Sequence, residues 1–217
     1  MIIRRFRPAD ENAVYDVCLR TGADGHDATR LFADPRMLGH AYAGAYLRLQ
    51  SQFAFVLDDT DTDTDTDSNS HDSSGSEVVG YVLGALDTHE FERRCEREWW
   101  PALRSRYPDP GDVPAAERTP DQRIAHLFYH PAAAAQALLD GYPSHLHIDL
   151  LPRAQGKGFG RELMELLLTE LAAAGSPGVH LGVSETNTGA IAFYRRLGFE
   201  HLADAPYTAI MGRTLAG

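Results

Sequence analysis

Two short runs hold the side chains best placed to do chemistry. The first is His145-Leu-His147-Ile-Asp149, whose polar residues are spaced by two. In an unbroken strand they share one face, opposite Leu146, Ile148 and Leu150. Three polar groups on a central strand are costly to bury without partners, and a substrate cleft is where they fit. Asp149 and His147 are therefore candidate proton acceptors. The second run is Gln155-Gly156-Lys157-Gly158-Phe159-Gly160, after which Leu163, Met164, Leu166, Leu167, Leu168 and Leu171 recur at helical spacing. A strand, a glycine turn and a helix start make an anion site, because first-turn N–H groups lack intrahelical partners where the helix dipole is positive. A phosphate-bearing ligand is expected there. A dinucleotide fingerprint needs G-x-G-x-x-G, but Arg161 occupies the sixth position, and a P-loop needs Ser or Thr after its lysine, where Gly158 stands.

What fits is Q/R-x-x-G-x-G/A. Downstream, Val179 to Ser184 reads as a strand, and the segment from Asn187 to Phe199 combines an Asn helix start with a Tyr-x-x-x-Gly-Phe end at Tyr194, Gly198 and Phe199. Two motifs in this order, with a strand between them, resemble the GNAT acyl-CoA N-acetyltransferases. The run from Tyr142 to Gly156, with Cys18-Leu-Arg-Thr-Gly and Glu98-Trp-Trp-Pro, is similar to bacterial acetyltransferases that resemble the acetyltransferase-like C-terminal domain of O-GlcNAcase.

The resemblance implies an α/β (α+β) fold of GNAT type. Its mixed, mostly antiparallel sheet would splay at the central strand pair, with helices on both faces and a helical insertion before the central strand. It implies acetyl-CoA as cofactor and direct attack by an amine in a ternary complex. Backbone amides from Gln155, Gly156, Lys157, Gly158, Phe159 and Gly160 would take the pyrophosphate. Free backbone groups of Asp149, Leu150 and Leu151 would pair with pantetheine, which Asn187 would also contact, and Tyr194 would protonate the leaving thiolate. The bland role for Tyr194 is packing in its helix. Asp149, His147 or a water chain would be the base, and a bulge in the strand, common in the family, would switch faces beyond it. Residues 18 to 24 would line the substrate side.

Two other classes compete. One is a catalytically inactive acetyl-CoA-binding or protein-interaction module of the same fold. The other is a zinc hydrolase, since H-x-H-x-D occurs in metallo-β-lactamase-like enzymes. Here Leu150 stands at the next usual His, and three positions on one strand face make a poor tetrahedron. No metal site is expected. The acceptor is a small-molecule or peptide amine, and a fold alone does not name it. Monomer and homodimer are both open.

The elements that must position these residues follow from pattern. Ile2 to Arg5 reads as a strand, and a helix follows Pro8-Ala-Asp10 with Val14, Val17 and Cys18 on one face, ending near Gly22. Leu38 to Leu49 reads as one helix with a core stripe of Tyr42, Ala45, Tyr46 and Leu49. Phe53 to Leu57 and Val78 to Leu86 read as paired strands. Phe91 to Tyr107 is charged and helical, Pro108 to Pro120 is loop, and Ile124 to Leu139 is helix broken at Pro131. Trp99 and Trp100 suit packing beneath this insertion better than pocket walls. Thr208 to Thr214 is the last strand.

With 217 residues, one domain over 1–217 is expected, carrying a disordered acidic loop at 58–77 and an insertion at 88–143. The loop holds eight acidic side chains, so without it the net charge of −11 falls to −3. That balance disfavours nucleic acid, which needs clustered cations. The Asp/Thr repeat lacks the glycine and closing Glu of a calcium loop in register. Lys157, in the phosphate turn, is the sole lysine. No long apolar run or signal-peptide core is present, so neither membrane nor export is expected and a cytoplasmic location is. Cys18 and Cys95 show no pairing pattern.

Overall fold

The computed structural model describes residues 1–59 and 77–215. Seven strands form one sheet: β1 (Ile2–Arg5), β2 (Ala54–Asp59), β3 (Glu77–Ala85), β4 (Ser144–Leu150), β5 (Gly178–Ser184), β6 (Glu200–Ala205) and β7 (Thr208–Thr214). Their order is β1-β2-β3-β4-β5-β7-β6, and every neighbouring pair is antiparallel except β4 with β5. The helices are α1 (Glu11–Thr21), α2 (Met37–Tyr42), α3 (Gly44–Leu49), α4 (Thr88–Arg94), α5 (Trp100–Arg106), α6 (Pro120–Tyr129), α7 (Gln136–Leu139), α8 (Phe159–Ala173) and α9 (Thr188–Arg196).

β3 is apolar almost throughout and buried on both faces, because α1 and α8 both pack on it. Tyr81 reaches toward the α1 side, whereas a Cβ on Gly84 would run into Leu167 of α8. The leucine row of α8 turns inward as its spacing predicts, with Leu163, Met164, Leu167, Leu168 and Leu171 buried.

Several expectations change in detail. The helix foreseen from Leu38 to Leu49 is two, broken at Ala43, where Gly44 lies so close under Tyr15 and Trp99 that a side chain there would collide with both. Tyr42 leaves the predicted core stripe and is 39% exposed. The charged stretch around Trp99 is helical, but Cys95–Trp99 forms a wide π turn between α4 and α5 just before Pro101, whose ring and missing N–H an α turn does not accommodate. α6 starts earlier than expected, at Pro120, because Thr119 and Gln122 form a reciprocal capping box.

The acidic tract expected as a disordered loop lies outside the described residues over 60–76. Its ends are strand. Asp58 is 2% exposed and accepts from Arg4 Nε at 2.7 Å, while Arg4 also grips Asp10 at 2.7 and 2.8 Å. Among the described residues no helix is long and apolar enough to cross a membrane.

Candidate active site

β4 is bonded to β3 without a register shift from His145 to Leu150, so the strand carries no bulge there. Toward β5 it pairs only at Ser144–Val179 and His145–His180. Beyond those two rungs β5 stays with β7 and β4 stays with β3, so the sheet opens. The gap is the floor of a cavity of about 1610 Å³ lined by Asp149, Leu150, Gly156, Gly158, Asn187 and Tyr194, among others.

The backbone decides which groups face it. Leu151 N–H donates to Val79 O at 2.8 Å and its carbonyl accepts from Ala154 N–H at 2.8 Å. Leu151 is 1% exposed and offers neither group, so the expectation that it pairs with a ligand is corrected. By the alternation of an antiparallel ladder, the backbone of Asp149 also turns to β3, and that of Ile148 and Leu150 turns to the gap. The Leu150 carbonyl accepts from Gln155 Nε2 at 2.8 Å, which leaves its N–H for the cavity.

Gln155 thereby closes the turn rather than holding a ligand. Its own N–H donates to Pro152 O at 3.2 Å. The next five N–H groups, Gly156 to Gly160, find no acceptor among the described residues. Gly156 and Gly158 hold φ of +71° and +93°, the left-handed region that glycine adopts at little cost, and Gly158 caps α8. Nothing lies within 4 Å of a Cβ placed on Gly156. Gly160 is packed instead, its Cβ position 3.4 Å from Phe193. The turn is thus an open row of unpaired donors at a helix N-terminus, which fits a diphosphate. Lys157 is exposed, and Phe159 is half-buried against the core.

His147 and Asp149 do share a face. Both Tyr81 Oη, donating at 2.6 Å, and His147 Nε2, at 3.1 Å, approach Asp149 Oδ2. The His147 ring is not aligned for a good hydrogen bond, and its Nε2 has no hydrogen-bond partner among the described residues. Burial opposes charge on this imidazole, but the adjacent carboxylate and contacts with Asp149 and Cys18 overcome it and bring the pKa up to about 10. Tyr42 stacks on the same ring, centroids 6.0 Å apart. Tyr42 was expected in a core stripe and Tyr81 was not singled out, so neither was foreseen as a site residue. Gly80-Tyr81 inside an apolar strand was the one available signal, since a tyrosine there needs a partner for its hydroxyl.

Tyr194 is 9% exposed and lines the cavity from α9. Burial, then the charge of Asp149, pushes its phenol well above the ordinary value, so it keeps its proton. Asn187 caps α9 by accepting from Ala190 N–H at 3.0 Å and borders the same cavity. Cys18 and Asp24 also line the cavity, and Asp24 accepts from Thr186 Oγ1 at 2.7 Å, bridging the loop after α1 to the loop after β5. Trp99 and Trp100 do not reach the cavity: Trp99 Nε1 donates to His40 O at 3.0 Å and Trp100 stacks on Phe128.

His145 points with its neighbours but does another job. Its Nδ1 lies 2.8 Å from Thr88 Oγ1, its ring packs among Tyr46, Phe91 and His180, and burial followed by the two neighbouring imidazoles lowers its pKa to about 3. The His/His/Asp set therefore does not converge. Cys18 takes the place of His145, with ligand atoms of Cys18, His147 and Asp149 within 4.8 Å of one another.

The Acetyltransferase (GNAT) family model matches residues 85–199. Protein O-GlcNAcase of Rattus norvegicus is 26% identical over 98% of this chain, and the chain spans only 22% of that relative's length. Mycothiol acetyltransferase of Streptomyces griseus is 31% identical over 57% of this chain and 36% of its own. Among solved structures, the crystal structure of SsHAT superimposes with a TM-score of 0.84 at 38% identity, covering 100% of this chain and 98% of the other.

Proposed function

The chain belongs to the GNAT acetyltransferase family, and we propose that it moves an acetyl group from acetyl-CoA to a small-molecule or peptide amine within the β4–β5 cleft. The observation that carries this reading is the opening of the sheet after His145–His180, which leads straight to the unpaired amides at the head of α8. Those donors fit a diphosphate, and the exposed edge at Ile148 and the Leu150 N–H fits an extended amide-bearing arm.

Bound acetyl-CoA supplies an acyl thioester, and the chain does the rest. The N–H groups of Gly156 to Gly160 hold the diphosphate, with Lys157 and Arg161 as cations beside them. Asn187 and the Leu150 N–H orient the arm. His147, an imidazolium below about pH 10, is poorly suited to accept a proton and instead stands as a cation beside Asp149 Oδ2. Both protein contacts of Asp149 fall on Oδ2, so Oδ1 is the atom that takes the proton from the attacking amine. Tyr194, protonated at every physiological pH, gives its proton to the departing sulfur.

Isothermal titration with acetyl-CoA, followed by thiol-release assays over an amine panel, tests the proposal. Saturable binding and turnover on at least one amine support it. Binding without turnover on any amine supports the inactive module instead, and absence of binding overturns both.

A further inference from the structure

We propose that Asp109, His126 and His130 form a site for a divalent transition-metal ion, best suited to Zn²⁺, on the inserted segment outside the cleft. His126 and His130 are four residues apart at the end of α6, so both rings leave the same side of the helix, their centroids 4.3 Å apart. The loop between α5 and α6 brings Asp109 up to them. Its Oδ1 lies 3.8 Å from His126 Nδ1 and its Oδ2 3.5 Å from His130 Nε2, and ligand atoms of the three residues lie within 4.8 Å of one another.

These separations are too long for good hydrogen bonds. They are close to the edges of a coordination tetrahedron, about 3.3–3.5 Å for oxygen and nitrogen ligands at ordinary zinc distances. A second observation points the same way. His126 Nδ1 is sealed from solvent and has no hydrogen-bond partner among the described residues, although a buried ring nitrogen almost always finds one. Two imidazoles and a carboxylate are a donor set that zinc prefers over the hard cations, and the partial exposure of all three side chains leaves room for water to complete it.

The ion would tie the proline-rich loop to α6. That helix already reaches the body of the protein through Asp121, whose carboxylate accepts the backbone N–H groups of Ala33 and Asp34 at 3.0 Å each. A metal here would brace the insertion and take no part in acetyl transfer.

The test uses the full chain, stripped with chelator, dialysed against ZnCl₂ and assayed by atomic mass spectrometry. About one ion per chain is expected, with the melting temperature raised by roughly 5–10 °C at a 100-fold excess over Kd. The His126→Ala/His130→Ala variant should lose both the ion and the shift. Asp109→Asn, exposed and conservative, should weaken binding without disturbing the fold, and it serves alone if the double variant does not fold. With Co²⁺ in place of Zn²⁺, visible d–d bands without a sulfur-to-cobalt charge-transfer band are expected. No stoichiometric ion, an ion retained by the variants, or a sulfur band that places it on Cys18 would each overturn the assignment.

Discussion

At the scale of single residues, the site turns on which atom of a shared carboxylate is left open. Asp149 Oδ2 is occupied by Tyr81 and His147, and Oδ1 is the oxygen proposed to take the proton of the acceptor amine. Asp149→Asn should lower turnover by about 10²–10⁴ with acetyl-CoA affinity little changed, read by steady-state kinetics beside calorimetry. Tyr194→Phe removes the proposed proton donor but keeps the ring, so it too should leave cofactor affinity nearly unaltered while turnover falls; an unaltered rate would reassign the acid. His147 adds a pH dependence. Its folded pKa, about 10, stands above the ordinary value near 6.5, so its contribution to stability is complete below pH 6.5 and is lost as pH rises toward 10. The stability difference between the parent and His147→Gln should therefore shrink over that interval in urea titrations; a constant difference would mean that the ring is uncharged.

At the scale of elements, the cofactor turn depends on two glycines that hold positive φ. Gly158→Ala puts a Cβ on a residue at φ +93°, a strain of about 1–2 kcal/mol. If the loop relaxes to relieve it, acetyl-CoA affinity falls about tenfold, since 1.4 kcal/mol corresponds to that factor. The calorimetric Kd measures this directly. At the other edge of the sheet, Arg4 joins β1 to Asp58 of β2 and to Asp10 ahead of α1, with only 14% of its side chain exposed. Arg4→Ala removes the cation that two shielded carboxylates share and should cost up to about 3–5 kcal/mol in denaturant unfolding. The spacing of the α8 leucines and the Asn187 and Gly198 ends of α9 were legible because each is a local rule of helix geometry. The break at Ala43 was not, since it results from Tyr15 and Trp99 closing on Gly44 across long stretches of chain.

At the scale of the whole molecule, two features set the response to acid and to truncation. His40 and His145 are held uncharged, their pKa values lowered to about 4 and about 3, chiefly by burial. Folded values below the unfolded one mean that their contribution is present above pH 6.5 and is lost as pH falls toward 4 and 3. The melting temperature should therefore decline below pH 6.5, before most carboxylates titrate, and proton NMR should show both rings failing to titrate near 6.5. At the tip of β2 and β3, Asp59 and Glu77 are paired, so a two-residue Asn-Gly turn in place of residues 60–76 has the right ends to join. That variant should keep the parent melting temperature and acetyl-CoA affinity; a large fall in either would show that the tract supports the fold.

The chain by itself determined the strand, glycine turn and helix that build the row of unpaired amides, the helix caps around Tyr194 and the shared face of His147 and Asp149. All of these are read over a few consecutive residues, where backbone geometry leaves few choices. Tertiary structure alone decided that His145 leaves the polar set for Thr88, that Cys18, Tyr42 and Tyr81 close around His147 and Asp149, that Leu151 spends its backbone on Val79 and Ala154, and that Asp109 meets His126 and His130. Those outcomes are fixed by partners distant in sequence, and no local pattern encodes which distant group will come to satisfy a buried polar atom.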